Sequence, residues 1–395
     1  MTLAFSLAFG AEHGQRILPF MAVVWLFLVK QADFEFALKQ RVVIFFLLLI
    51  ALHLISLLWS ANVDEGAKYV SRLVRYTFLP MIICLTVLKR ESMQFVVTAF
   101  VLGMFVNEII SYLIYFDLYQ TELSKKTRYP VGFINHIPYS VLVSFTAILI
   151  LYQARHMKNT YFRAVYVIFF ITMTANLVIS SGRTGYAAFF GSLVVLLFSY
   201  YRFSLKNFLE LLIFPAVVFG LAYSFDDAVQ TRVKSSATAL DQIASVENYD
   251  TNTGARIAMF SVAQDIMDQP ENSALFGAGT GDILEAMEAS IERTGILKRS
   301  YDHLHNSFLT AYVNVGIVGL CVLILLLLSI WWASTSEKET RFIQQLLIAT
   351  IAISCFGDVI LSIKETMLFF GIFVAVVLAD NRAVQERAGG TNEIS

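Results

Sequence analysis

The chain has 395 residues, 57% of them hydrophobic and only 15% charged, against ~25% charged in a soluble globular protein. Its formal net charge of −1 implies no bulk attraction to nucleic acid or another polyanion. Apolar runs long enough to cross a ~30 Å hydrocarbon core recur along the whole length, which excludes a water-soluble domain and predicts an all-α polytopic membrane protein.

In chain order the apolar runs predict about twelve spans, at 2–11, 17–29, 42–60, 75–88, 94–117, 137–152, 162–181, 184–200, 208–225, 307–334, 342–358 and 366–380. Runs such as VVIFFLLLIALHLISLLW lack the apolar–polar alternation of a membrane barrel strand. The opening MTLAFSLAFGAEHGQR has neither a basic start nor a small-residue cleavage site, so it reads as a retained membrane segment. Cys84, Cys321 and Cys355 sit singly inside apolar runs and read as packing residues, with no disulfide framework or zinc motif. The expected organisation is nine spans in 1–225, a loop domain at 226–306, three spans in 307–380 and a tail at 381–395.

An even number of spans places both termini on one side. With the termini cytoplasmic, the inner loops hold fourteen of the 29 basic residues and the short outer loops nine. Short-loop Lys and Arg set orientation, so the expected topology has cytoplasmic termini and loop 226–306 on the outer side. The nine outer cations are Arg16, Lys68, Arg72, Arg75, Lys125, Lys126, Arg128, Arg183 and Lys364. They run against the topological bias, and one reason to keep them is an anionic ligand at the outer leaflet. Ordinary solvated loop charge is the plainer alternative.

Loop 226–306 carries thirteen acidic and six basic residues, net −7. Anion binding there must rest on particular arginines rather than on the field of the loop. TGARIAMFSVAQDIMDQP predicts an amphipathic helix with Ile257, Phe260, Ile266 and Met267 as its apolar side and Pro270 as its stop. LFGAGTGD, with Gly277, Gly279 and Gly281, reads as a tight turn, since no strand precedes it. GDILEAMEASIERTG predicts a second helix, and the loop reads as a small helical cap over the membrane domain.

Three polar points carry chemistry. ISSGRTGY sets Arg183 in a tight helical hairpin beside Ser181 and Thr184. Small residues there let backbone N–H groups approach a ligand, and a guanidinium can hold phosphate through two parallel bonds. A snorkelling helix-end arginine is the structural alternative. Arg256 lies at the first turn of the cap helix, where a solvated role competes with a binding one. His305, in HLHNSFLTAYVNVGIVGL, stands at the lip of a span, where a neutral imidazole can accept a proton from a hydroxyl. Asp302 is placed to orient it if the helix begins early, and His303 is expected to face elsewhere. No further Cys or His cluster accompanies the two histidines, so no metal site is expected. Lys364, with Glu365 and Asp358 near it, marks the last outer turn, and Glu108 is a carboxylate inside a span.

His305-Asn306, nine residues, Gly316, two residues and Gly319 resemble the H-[N/S/Q]-x9-G-x-x-G pattern of bacterial O-antigen ligases and their polymerase relatives. The SGRTG hairpin and a long loop carrying an arginine in TGAR are similar to the same superfamily. The resemblance implies a C-type membrane glycosyltransferase of the bacterial inner membrane, with its active site facing the periplasm. It implies an undecaprenyl-diphosphate-linked glycan as donor, a sugar hydroxyl of lipid A–core as acceptor, and neither metal nor cofactor. It assigns His305, Arg183 and Arg256 to catalysis; beside them, Ser181, Thr184, Asn306, Arg128, Lys364 and Asp302 are this reading's own candidates for holding diphosphate or acceptor. An O-antigen polymerase or a protein O-glycosylating ligase would use the same donor. A lipid-linked sugar transporter is the alternative of a different class; it would favour internal repeats and midplane charges, whereas here the distinctive polar groups fall on one face.

Overall fold

The computed structural model describes residues 1–127, 129–201, 203–225 and 249–390, with isolated positions between 225 and 249. Arg128, one of the expected ligand contacts, lies outside the described residues. The described chain is helical, with one isolated bridge between Ser273 and Gly277. The N-terminal helices are α1 Thr2–Ser6, α2 Ala11–Leu28, α3 Gln31–Leu38, α4 Arg41–Ser56, α5 Val63–Leu73, α6 Leu79–Val87 and α7 Arg90–Tyr115. After the short α8, Glu122–Thr127, come α9 His136–His156, α10 Thr160–Ser180, α11 Arg183–Ser199, α12 Leu205–Phe208 and α13 Phe214–Phe225. The cap contributes α14 Asn252–Met267 and α15 Ile283–Thr294, and the chain returns through α16 Ser307–Trp331, α17 Lys338–Gly357 and α18 Lys364–Gly390.

Among the described residues six helices are long and apolar enough to cross a membrane, or seven if the sharply bent pair α2–α3 is one span. The protein is thus an all-α polytopic membrane protein. The expected first span differs: α1 and the 3-10 turn Leu7–Phe9 break at Gly10, φ +99°. Eight helical residues reach only ~12 Å, too little to cross. The expected span 75–88 is the lower part of a longer element, because α5 runs through a π-helical turn, Val74–Phe78, into α6.

The centre of the bundle is α9, buried along most of its length and packed against α10, α11 and α17. Phe100, Phe145, Phe369 and Phe373 interlock α7, α9 and α18 with ring centroids 4.7–6.1 Å apart. Such tilted and edge-on contacts add to the burial of large rings. Helix starts are set locally: Asn159, Thr251 and Asn306 each accept bonds from the first free N–H groups of α10, α14 and α16.

The cap rests on the membrane domain through a small core of Ala255, Ala258, Met259, Val262, Met287, Leu304 and Val313. Small residues turn inward on α14, and Ile257 and Phe260, expected on its buried side, are exposed. Ile266 and Met267 are buried as expected. A second joint lies in α16, which breaks at Val315 and Gly316 (φ 70°, ψ −168°). The backbone groups freed by the break are taken up by the glycine-rich turn: Ala278 and Gly279 N–H donate to Val313 and Asn314 carbonyls, and Ile317 and Val318 N–H donate to Ala274 and Leu275. A Cβ on Gly316 would stand 2.2 Å from the Leu275 carbonyl oxygen, in a backbone region that only glycine populates easily. Gly316→Ala is therefore expected to destabilise the protein by at least ~1–3 kcal/mol, read as a fall in unfolding temperature in detergent and earlier proteolysis at the cap joint.

Candidate functional site

The site forms where four chain segments meet at the end of α17. Asp358 follows that helix, and its carboxylate is fully buried. Val359 N–H donates to Asp358 Oδ1 at 2.8 Å. Arg256 Nη2 lies 3.5 Å from Oδ2, His303 Nε2 3.3 Å from Oδ1 and His305 Nδ1 3.8 Å from Oδ2. Arg256 is further held by donation from Nε to the Gly357 carbonyl at 2.7 Å and from Nη1 to Asn252 O at 2.9 Å. This uses a free carbonyl at the negative end of α17 to fix the cation.

Arg183 reaches the same place from the hairpin. Its Nη1 donates to Thr253 Oγ1 at 2.9 Å, and Thr253 stands one helical turn before Arg256 on α14. Thr184 packs against Gly357, with side-chain atoms 3.3 Å from the position of a glycine Cβ. The hairpin is tight because Ser181 takes the left-handed conformation, φ 72°, and Gly182 and Gly185 lie where any Cβ would strike Ser140. The structure thus brings Arg183, Thr184, Arg256 and His305 together.

The other candidates fall differently. Asn306 caps α16, accepting from Phe308 and Leu309 N–H at 2.8 and 3.1 Å, so its amide serves the helix start. Ser181 Oγ donates to its neighbour Ile179 O. Lys364 Nζ lies 5.7 Å from the centroid of the Tyr76 ring and makes no contact with the Asp358 group among those described. Glu108 is buried in α7, and neither carboxylate oxygen bonds to the cluster.

Two expectations about the histidines are corrected. Asp302 does not orient His305; it is largely exposed and lies against His303, Oδ1 to Nδ1 2.5 Å. α16 begins only at Ser307, so the helical spacing that would join Asp302 to His305 is absent. His303 does not face away, for the two imidazoles lie 4.1 Å apart. The reason is the backbone: His305 has φ +51°, a left-handed conformation that is uncommon for a non-glycine residue but enriched in histidine. That turn points both rings at one carboxylate.

Burial alone would raise the Asp358 carboxyl, but contacts with His303, His305 and the Val359 N–H hold it well below the usual carboxylate range. Burial would lower His303, but its contact with Asp358 and the nearby Asp302 charge raise it above its ordinary 6.5. His303 and Asp358 therefore form a charged pair across a broad pH range. The ligand atoms of His303, His305 and Asp358 lie within 4.8 Å of one another, a donor set able to take a divalent cation. The Arg256 guanidinium already stands on the same carboxylate, and a bound dication would have to displace or repel it.

Asp358 is the residue that sequence reasoning did not place in the centre. In the sequence it stands only as a neighbour of Lys364, and nothing in its spacing ties it to histidines more than 50 positions earlier.

Residues 168–324 match the family model described as O-antigen ligase, and the match supports an O-antigen ligase family member. The matched segment contains Arg183, Arg256 and His305 and stops before Asp358. No curated protein matches the chain.

Proposed function

We propose that this protein is an O-antigen ligase that transfers a preassembled glycan from undecaprenyl diphosphate to a sugar hydroxyl of lipid A–core. It acts in the bacterial inner membrane, with its cap in the periplasm and both termini in the cytoplasm. The observation that carries this reading is a buried carboxylate that meets Arg256 and a histidine pair on the cap face of a membrane bundle, with Arg183 held one helical turn from Arg256.

In the proposed reaction Arg183 and Arg256 receive the diphosphate. As the bond between the anomeric carbon and the phosphate oxygen breaks, negative charge gathers on the leaving group. Fixed guanidinium donors then stabilise the transition state more than the ground state. His305 turns Nδ1 toward Asp358, which leaves Nε2 to take the proton of the acceptor hydroxyl. The hydroxyl oxygen bonds to the anomeric carbon from the opposite face, so configuration inverts in a single displacement. Thr253 and the Gly357 carbonyl keep the guanidinium planes in place between turnovers.

The test is transfer by purified protein in liposomes given polyprenyl-diphosphate-linked glycan and lipid A–core, with a chelator and without nucleotide. Glycan appearing on lipid A–core supports the ligase reading. Elongation of the donor glycan alone means a polymerase, and transbilayer movement without transfer means a transporter. Arg183→Lys and Arg256→Lys are each expected to slow transfer by about tenfold to a hundredfold, since a lysine keeps the charge but loses the paired donors. Unchanged rates in both would remove the arginines from the diphosphate site.

A further inference from the structure

The stretch YVSRLVRYTF, residues 69–78, carries two exposed arginines that the proposed chemistry leaves unused. α5 enters the membrane as an amphipathic helix and passes through the π-turn Val74–Phe78 before becoming α6. A π-turn is a rare deviation that recurs at functional positions. Here Arg72 and Arg75 stand about one turn apart, each exposed, and like charges at that spacing repel. Arg72 lies 5.9 Å from the Tyr69 ring centroid, Lys364 Nζ lies 5.7 Å from that of Tyr76, and Arg75 Nη2 donates to Ser71 Oγ at 3.1 Å. Among the described residues, none of these three cations has a carboxylate within ion-pair distance. Lys68, one turn nearer the aqueous end, is paired with Glu65.

Depth makes the unpaired charge informative. At ~1.5 Å per residue Arg72 and Arg75 stand ~22 and ~18 Å from Val87, the other end of the same helix, so both belong to the cap-side half of a helix that spans ~30 Å of hydrocarbon, where long side chains reach toward the headgroups. Exposed cations at that level are costly unless they meet lipid headgroups. The position relative to the site is equally specific. Tyr69, Leu73 and Thr77 line one wall of a narrow cavity, and Ser307, Leu361 and Ser362 line another. Ser307 Oγ donates to the Asp358 carbonyl at 3.0 Å, so the wall of the cavity facing the Arg72 helix is joined by one hydrogen bond to the loop that carries Asp358. Arg256 approaches Asp358 from the cap, and Arg183 reaches Thr253, one turn before Arg256, from the hairpin.

We propose that Arg72, Arg75 and Lys364 form a second anion site, which binds the phosphate groups of a glycolipid lying in the cap-side leaflet. Resting on the function proposed above, this site holds the acceptor, and the Arg183–Arg256 pair holds the donor. The acceptor then presents its sugar hydroxyl to His305 from the side of α5, away from the hairpin and the cap that carry the donor arginines.

The full chain in neutral detergent is to be titrated with phosphatidic acid, diacylglycerol and inorganic phosphate, with bound lipid read by native mass spectrometry. Phosphatidic acid is expected to bind at least tenfold better than diacylglycerol. That preference is expected to vanish in Arg72→Gln/Arg75→Gln/Lys364→Gln and to survive in Arg72→Lys/Arg75→Lys. Equal binding by wild type and the triple variant overturns the site, and displacement of lipid by millimolar inorganic phosphate overturns its assignment to lipid. In the transfer assay the triple variant is expected to raise the acceptor KM about tenfold without raising the donor KM; a rise for the donor overturns the acceptor assignment. A wild-type protein that transfers to no glycolipid defeats the ligase reading, whereas the lipid titration still decides the anion site.

Discussion

His305→Asn is expected to lower the turnover of glycan transfer by about a thousandfold, within the ~10²–10⁴ that a positioned base contributes. Asparagine tolerates the positive φ found at this position, so the loss reports the missing imidazole rather than an unfolded turn. His305→Ala is expected to lose as much activity and, in addition, some stability. Donor binding should persist in both, because Arg183 and Arg256 are held by Thr253, Asn252 and Gly357 and not by His305. Turnover measured by the shift of lipid A–core on a gel, with donor retention measured in parallel, checks the result. A His305→Asn protein that transfers at the wild-type rate would remove the histidine from the chemistry.

Asp358→Asn is expected to cost turnover about a hundredfold or more, because one charge serves three groups. It stands against Arg256, His303 and His305, and removing it takes the buried partner from Arg256 and His303, a large penalty, and the orienting acceptor from His305. It also leaves His303 with burial as its main influence, so the imidazole pKa should fall from its raised value. The sign of the stability effect follows from linkage. The raised His303 pKa contributes stability that is full below 6.5 and is lost as pH rises through the folded value. The depressed Asp358 pKa contributes stability that is present above 3.8 and is lost only as pH falls through its folded value. Wild type should thus lose unfolding temperature relative to Asp358→Asn as pH rises above 6.5 through the raised His303 pKa. A histidine resonance that titrates identically in the two proteins would show that His303 and Asp358 are not coupled.

Much of this was legible in the residues themselves. The apolar runs determined a polytopic helical membrane protein, since burying about twenty backbone groups in hydrocarbon requires a helix. The hairpin at Arg183, both cap helices and the start of α16 follow from local chemistry: glycine and serine at a left-handed turn, and Thr251 and Asn306 as caps. Arg183, Arg256 and His305 were readable one by one as polar points on one expected face, and the resemblance to the O-antigen ligase pattern is what joined them as a set.

Tertiary structure decided what depends on contacts distant in the chain. The buried face of α14 could not be read from its pattern, because docking on Val313 and Leu304 favours small residues and leaves Ile257 and Phe260 outside. The break at Gly316 makes sense only beside residues 274–279, whose N–H and C=O groups replace those the helix gives up. The carboxylate that both histidines share is Asp358, while Asp302 meets only His303, because a positive φ at His305 turns the rings away from helical spacing and toward the end of α17. Sequence determines which groups are available and the local shape of each segment; only packing brings a carboxylate from one helix end beneath histidines that precede another.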